Sequence, residues 1–300
     1  MLKERYIDYL RFEKRYSAHT VLAYQTDLED FSVYLGSQYN ITDLLKADHS
    51  LVRSWLISLI GQDLTPRSVS RKLSALKSFY RYCLRQGLIS HNPMLKVTAP
   101  RISKQLPVFL TRDSLHMLLS NIEFDTGYAG SRDKMIITLL YATGIRRAEL
   151  LQLKTSDIDF GNSTLKVLGK RSKERIVPFG DAVIIMLKEY LFVRSEFLTN
   201  ETNQEQNKSE SLFVTSKGLP VYPKIIYNIV HRYLSLIASN EKLSPHVLRH
   251  SFATHMLDDG ASLNAIKEIL GHSSLAATQV YTHNTIEKLK TIYKQAHPRA

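Results

Sequence analysis

Residues 65–85 constrain the fold most strongly, because apolar side chains repeat there with the period of an α-helix. Thr65 and Pro66 suit a helix start, the first as a side-chain cap and the second as a proline at the first helical position. The apolar positions then recur at spacings of four and three residues: Val69, Leu73, Leu76, Tyr80 and Leu84. This spacing predicts a helix whose apolar stripe faces a core.

The opposite stripe of this helix carries only side chains that donate hydrogen bonds: Arg67, Arg71, Ser74, Ser78, Arg81 and Arg85. It lies between Asp63 and Asp113, a stretch that contains ten Lys or Arg residues and no Asp or Glu. Solvated helix faces usually mix charge signs. Arginine and serine donate to phosphate oxygens, so the pattern predicts nucleic-acid contacts from the four arginines of the stripe.

The overall charge points to the same class of partner. The chain has 40 Lys and Arg against 28 Asp and Glu, a net charge of +12. Both parts are basic, with 14 basic and nine acidic residues in 1–100 and 26 and 19 in 101–300. A polyanion held from both sides would suit this distribution. The alternative is a basic soluble protein without such a partner.

Composition excludes several other classes. Apolar residues make up 44% of the chain, enough for a packed core. We find neither a secretory signal nor an apolar run of about 20 residues, the length of a membrane span. The only cysteine, Cys83, excludes a disulfide framework and a cysteine-rich zinc site. These features predict a cytoplasmic protein that does not enter the membrane.

The first part of the chain is predicted to be helical throughout. We find no convincing strand in residues 1–95, and the run that follows Ser17 has four candidate core positions: Leu22, Leu28, Phe31 and Leu35. Pro100 and Pro107 bracket a basic, acid-free segment that suits an extended linker. We therefore predict a helical domain over 1–96, a linker over 97–107 and a second domain over 108–300. Two basic domains joined by a basic linker could clamp a duplex.

The second domain is predicted to be mainly helical with a small sheet. Residues 135–142 form a strongly apolar helix, and short strands are expected at 158–160, 164–168 and 175–178, separated by turn residues. A helix over 181–197 and a polar loop over 199–211 follow. The predicted fold class is therefore mainly α, with an all-helical first domain and a mixed α+β second domain.

Several polar clusters in this domain have both a functional and a structural interpretation. Arg146 could bind an anion, or simply pair with Glu149 or Asp157. His246 and Arg249 lie three residues apart on one helix face, so both could reach the same ligand. His246, His250 and His255 could also be considered as metal ligands. No acidic residue lies between the first two and no cysteine is near, so we predict no metal site.

Four separated segments together resemble the tyrosine recombinases, the integrase family. They are TGIRRAELLQL from Thr143, GKRSKERIVP from Gly169, SPHVLRHSFATHML from Ser244 and LGHSSLAATQVYTH from Leu270. The resemblance extends over almost the whole chain. The segment YSAHTVLAYQTDLEDF from Tyr16 and the terminal HPRA resemble the Xer subgroup in particular.

The resemblance implies a role for each matching residue. It implies Tyr281 as the nucleophile, Arg146 and Arg249 as the phosphate-binding arginines, Lys170 as the general acid, His246 as a base, His272 as a hydrogen-bond donor and Glu149 as a supporting acid. Arg171, Lys173 and Arg175 are predicted to contact the DNA backbone. Two positions depart from the family pattern: Arg171 replaces a frequent glycine, and Arg147 replaces an apolar residue.

The resemblance also implies an activity and its partners. Duplex DNA would be cut and rejoined through a 3′-phosphotyrosyl intermediate and a Holliday junction, without metal, ATP or another cofactor. Homo- or hetero-tetramers would assemble on a specific site, with a second recombinase and a DNA translocase as possible partners. The expected role is Xer-type dimer resolution. A mobile-element integrase or transposase, a type IB topoisomerase and a non-enzymatic DNA-binding protein remain alternatives.

The resemblance further implies a C-terminal helix that passes to a neighbouring subunit. The candidate is 285–296, with an apolar face formed by Ile286, Leu289, Ile292 and Tyr293. The alternative is that this helix packs within its own subunit.

Overall fold

The computed structural model describes residues 2–100, 108–169, 173–199, 209–239, 243–271 and 283–297. The chain divides into two units, Met1–Gln105 and Leu106–Ala300. The helices of the first unit are α1 (Leu2–Asp8), α2 (Ala18–Tyr39), α3 (His49–Gly61) and α4 (Pro66–Arg85). A π-helical turn (Tyr9–Glu13) follows α1, and 3-10 turns lie at Leu44–Lys46 and Pro93–Lys96. The described part of this unit has no strand, which confirms the predicted helical fold.

Helix α4 starts as the sequence predicts, because Thr65 accepts a hydrogen bond from the Ser68 backbone N–H at 3.2 Å. Its core face differs at the last turn. Leu84 is 42% exposed, whereas Tyr80 and Cys83 are fully buried. Each helical residue is rotated by about 100° from the one before. Leu84 therefore points away from the core that Cys83 enters, and the prediction for Leu84 is wrong.

In helix α2, too, one buried position lies one residue before the predicted one. Leu28, Phe31 and Leu35 are buried as predicted, but Leu22 is 62% exposed. Val21 takes the inward position, seven residues before Leu28. That spacing is close to two helical turns, so Val21 and Leu28 share a face and Leu22 does not.

The second unit combines helices with one antiparallel sheet. Its helices are α5 (Arg112–Ser120), α6 (Gly127–Thr143), α7 (Arg147–Leu150), α8 (Asp181–Thr199), α9 (Pro223–Leu234), α10 (Pro245–Asp258), α11 (Leu263–Leu270) and α12 (His283–Ala296). The strands are β1 (Ile158–Asp159), β2 (Thr164–Leu168) and β3 (Glu174–Pro178), in the order β1-β2-β3. Leu165 pairs with both Ile158 and Val177. The predicted strands and the helix predicted at 181–197 are confirmed within two residues, whereas the helix predicted at 135–142 begins earlier, at Gly127.

Helix α6 forms the centre of this unit, and every side chain from Met135 to Thr143 is buried. Helix α12 packs on it within the same chain. Leu289 and Tyr293 are buried, and the Tyr293 hydroxyl donates to the Ala142 carbonyl at 3.0 Å. In this structure α12 therefore packs within its own unit. Among the described residues, no helix combines the length and apolar character needed to cross a bilayer.

Candidate active site

A glycine turn after α6 presents the first arginine of the site. Gly144 has φ of +59°, and its N–H donates to the Leu140 carbonyl at 3.1 Å. A Cβ atom at this position would lie 2.5 Å from Cδ1 of Phe252. Only glycine fits this close approach. The turn places Arg146 at the residue that precedes α7.

Glu149, 4% exposed, is the acceptor at the centre of the site. It accepts from the backbone N–H of Arg146 at 2.7 Å and from Nη1 of Arg146 at 2.8 Å. The Arg175 guanidinium donates twice more, each at 2.9 Å. Burial alone would raise the pKa of the Glu149 carboxyl, but Arg175 and then Arg146 lower it below 4.5. The structure thus pairs Arg146 with Glu149 and not with Asp157, the other partner considered from the sequence.

Three arginines meet at the C-terminal end of α11. Consecutive backbone carbonyls there accept hydrogen bonds from different segments: Ile269 from Arg175 at 2.8 Å, Leu270 from Arg249 at 2.7 Å and Gly271 from Arg146 at 3.3 Å. The last carbonyls of a helix lack donor partners within the helix and carry its negative end. This helix end therefore brings the three guanidinium groups together directly before His272 in the chain.

Arg249 is buried and also donates to the Gly144 carbonyl at 2.5 Å. Burial, followed by the charge of Arg146, lowers its pKa to about 9. Arg249 therefore stays protonated at neutral pH. A guanidinium has five N–H donors, and the contacts with Gly144 and Leu270 use two of the nitrogens. Further N–H groups of Arg249 remain as donors for an anion.

His246 lies near this arginine cluster at the first turn of α10, three residues before Arg249. Its pKa is lowered from 6.5, first by partial burial and then by the charges of Arg147 and Arg249. A lowered pKa keeps the imidazole neutral at pH 7. His246 is therefore in the form that can accept a proton.

The described structure brings together part of the predicted catalytic set. Arg146, Glu149 and Arg249 share one hydrogen-bonded cluster, and His246 is electrostatically coupled to it. The other predicted catalytic residues, Lys170, His272 and Tyr281, lie outside the described residues, as does Arg171. Lys173 is exposed next to β3, and its carbonyl accepts from the Gly169 N–H at 2.7 Å.

Arg175 is not at the surface, where the sequence predicts a DNA-backbone contact. It is 5% exposed and bonded to Glu149 and to the Ile269 carbonyl. Side chains alternate between the two faces of a strand, and Arg175 shares its face of β3 with the buried Val177. This alternation could have been read from the sequence as a sign that Arg175 is buried. The charge of the side chain favoured an exposed position instead.

The arginine stripe of α4 also differs from the acid-free face that the sequence predicted. Arg71 bonds to the fully buried Asp27 of α2. Arg85 lies 4.6 Å above the ring of Tyr9 and 3.8 Å from a Glu13 carboxylate oxygen. Acids distant in the chain therefore reach this stripe. Its other two arginines, Arg67 and Arg81, are exposed and have no ion-pair partner in the part of the chain that the structure describes.

Two family models match the chain. Residues 108–288 match the model described as Phage integrase family, and residues 4–87 match the one described as Phage integrase, N-terminal SAM-like domain. The chain is 37% identical over 318 aligned positions to tyrosine recombinase XerC of Chlorobaculum parvum, covering 99% of this chain and 94% of the relative. It is 36% identical over 298 positions to tyrosine recombinase XerD of Staphylococcus haemolyticus, covering 99% and 98%.

A solved structure shows the same architecture. The XerH site-specific recombinase bound to palindromic difH substrate, in a post-cleavage complex, has a TM-score of 0.70 and 25% identity. The match covers 92% of this chain and 77% of that chain. The four motif segments, the fold and these matches agree. The chain therefore belongs to the phage integrase family and is a site-specific tyrosine recombinase of the Xer type.

Proposed function

We propose that the protein cuts and rejoins duplex DNA through a 3′-phosphotyrosyl intermediate on Tyr281. The observation that carries this proposal is the meeting of Arg146 and Arg249 at the Gly271 and Leu270 carbonyls, directly before His272 in the chain. Each guanidinium fork matches the oxygens of one phosphodiester. Two such forks in one cluster suit the phosphate that Tyr281 attacks.

The arginines stabilise the transition state because they are oriented before DNA arrives. Glu149 bonds both the backbone and the side chain of Arg146, and two carbonyls bond Arg249. Donors that are already oriented need no reorganisation as negative charge develops on the phosphoryl oxygens. His272 donates a further hydrogen bond to these oxygens.

Two proton transfers accompany the exchange of bonds. The phenolic oxygen of Tyr281 forms a bond to phosphorus as the bond from phosphorus to the 5′-oxygen breaks. His246, neutral at pH 7, accepts the phenol proton, and Lys170 donates a proton to the departing oxygen. Rejoining reverses both transfers when a 5′-hydroxyl attacks the phosphotyrosine. The intermediate conserves bond energy, so the reaction needs no ATP, and the cationic side chains serve where other enzymes use a metal.

DNA contacts outside the cleavage pocket come from both units. Arg67 and Arg81 supply exposed cations in the first unit, and Arg71 and Arg85 add partly neutralised charge. Lys173, exposed next to β3, and the neighbouring Arg171 in the chain contact the backbone in the second unit. Such contacts give affinity and register, and base contacts give site choice.

The biological role that we propose is resolution of chromosome or plasmid dimers in the cytoplasm before cell division. Four protomers act on two sites and exchange strands through a Holliday junction. The XerH recombinase is bound to its difH substrate in the solved complex, which supports a specific DNA site here. The chain is 37% identical to an XerC and 36% identical to an XerD, so the proposal includes both a homotetramer and a tetramer formed with a second recombinase. A DNA translocase is the proposed regulator.

The test is covalent trapping on nicked suicide duplexes that carry either a chromosomal dimer-resolution site or a mobile-element end. We expect covalent adducts on the chromosomal site in the presence of a chelator and without ATP. Tyr281→Phe should abolish these adducts while DNA binding persists. Tyr39→Phe, at an exposed tyrosine of the first unit, is the control and should retain adducts. Adducts that survive in Tyr281→Phe would contradict the nucleophile, and adducts only on mobile-element ends would contradict the role in dimer resolution.

A further inference from the structure

We propose that Arg175 is a positioning residue of the cleavage reaction, which acts through Glu149 on Arg146 and does not contact DNA. This inference rests on the proposed function, because the role is defined relative to the phosphate that Arg146 holds. Arg175 stands five residues after Lys170 on the second strand of the hairpin. Its side chain is 5% exposed, so little of it is accessible to a ligand.

Each of the three guanidinium nitrogens of Arg175 already donates a hydrogen bond. Nη1 and Nη2 donate to the two oxygens of Glu149, both at 2.9 Å, and Nε donates to the Ile269 carbonyl at 2.8 Å. The same carboxylate accepts from Arg146. Arg175 therefore fixes the position of Glu149, and Glu149 in turn fixes Arg146.

The Arg175 side chain also contacts two glycines, each of which directly precedes a predicted catalytic residue. A Cβ atom on Gly169 would lie 3.6 Å from Nη1 of Arg175, and one on Gly271 would lie 3.1 Å from its Cδ. Gly169 directly precedes Lys170 in the chain, and Gly271 directly precedes His272. Arg175 thus packs against Gly169 and Gly271 while it bonds Glu149. One side chain sets the relative position of three segments of the site.

The experiment compares Arg175→Gln with Arg132→Gln, a matched control in the same unit. Arg132 is also a buried arginine, 7% exposed, bonded to a carboxylate, that of Asp133, and to the Val214 carbonyl. It lies near the start of α6, whereas Arg146 follows the other end of that helix. The wild-type protein is first used to capture host chromosomal fragments covalently, which identifies the sequence that it cleaves. The substrate is a suicide duplex with that sequence. Single-turnover cleavage at saturating DNA is measured together with the salt dependence of binding and with thermal unfolding.

We expect Arg175→Gln to cleave about 100-fold more slowly, the loss that misplacement of a catalytic group by about 1 Å produces. Its DNA affinity and salt slope should match those of the wild type. Arg132→Gln should lose comparable thermal stability and cleave within about twofold of the wild type well below its unfolding temperature. Arg175→Lys, which retains the charge but lacks the planar fork that bonds both oxygens of Glu149, should still cleave at least about 10-fold more slowly.

A double variant tests whether Arg175 acts through Glu149. Glu149→Gln combined with Arg175→Gln should cleave no more slowly than Glu149→Gln alone, because residues that act as one unit are not additive. A salt slope that falls by about 1 in Arg175→Gln, with cleavage retained, would show a phosphate contact and overturn the inference. Equal cleavage by Arg175→Gln and Arg132→Gln would overturn it as well. Failure of the wild type to form any adduct would instead overturn the proposed function.

Discussion

Gly144 and Phe252 approach each other so closely that the backbone of one and the ring of the other fix the turn that leads into the site. A side chain at Gly144 would place its Cβ 2.5 Å from Cδ1 and 3.0 Å from Cε1 of the Phe252 ring. The backbone of Gly144 also adopts φ of +59° and offers its carbonyl to Arg249. The contact therefore joins the end of α6 to the α10 helix that carries His246 and Arg249.

Gly144→Ala is expected to destabilise the second unit by about 3 kcal/mol, because overpacking of a rigid ring adds to the strain of a positive φ. Cleavage should fall as well, since Arg146 follows two residues later. The measurement is urea unfolding followed by circular dichroism. Gly127→Ala is the matched control: φ there is +71° and nothing lies within 4 Å of the added Cβ. It should cost only about 1 kcal/mol, and an equal loss in both variants would contradict the predicted clash.

Glu149 is expected to stabilise the protein in a pH-dependent manner. Although burial opposes its ionisation, Arg175 and Arg146 lower its pKa in the folded state. A carboxyl of this kind stabilises the fold above its unfolded pKa, and the stabilisation is lost as pH falls through the folded value. Glu149→Gln should therefore lower the free energy of unfolding by about 3 kcal/mol at pH 7, and the difference from the wild type should shrink below pH 4.5.

Urea titrations of both proteins from pH 7 to pH 3.5 measure this difference. Glu210→Gln is the control, since Glu210 is exposed and pairs with the exposed Lys154, so its removal should have little effect at any of these pH values. A difference between wild type and Glu149→Gln that stays constant as pH falls would show that ionisation of Glu149 does not contribute.

The rate of cleavage is expected to decline on the acid side as His246 becomes protonated. Partial burial and the charge of Arg147 lower the pKa of His246 below 6.5, so a general base at this position should give an acid limb below pH 6.5. Arg147→Gln removes a positive charge and should move this limb to higher pH. Single-turnover cleavage between pH 5 and pH 8 measures both profiles. His246→Gln should cleave about 100-fold more slowly and lose the limb; an unchanged limb would assign it to another group.

The two exposed arginines of α4 are expected to contribute separately to DNA affinity. Arg67→Gln and Arg81→Gln should each weaken binding similarly on all sequences and reduce the salt slope by about 1, as the loss of one phosphate contact does. Binding isotherms at several salt concentrations provide the slopes. Lys3→Gln is the control, because Lys3 is paired with Glu29 at 2.8 Å in the same unit. A slope that changes equally in all three variants would contradict a specific role for α4.

Much of the local structure could be predicted because it depends on residues that are close in the chain. The Thr65 cap bonds Ser68, three residues away, and the strands of the small sheet follow turn residues that the sequence displays. Motif order was equally informative: Arg146 and Arg249 are 103 positions apart, yet their resemblance to family motifs indicated one site, and the structure brings both to the end of α11.

The sequence by itself determined the helical first domain, the mixed second domain, the family and the arginines that converge. Only the tertiary structure decided which charged side chains remain available to contact DNA. Asp27 reaches Arg71 from 44 residues away, and Glu149 draws Arg175 into the interior across 26 residues. The physical reason is that a charge is buried only where an opposite charge or hydrogen-bond partners compensate it. Such partners come from segments that are distant in the chain and adjacent only after folding.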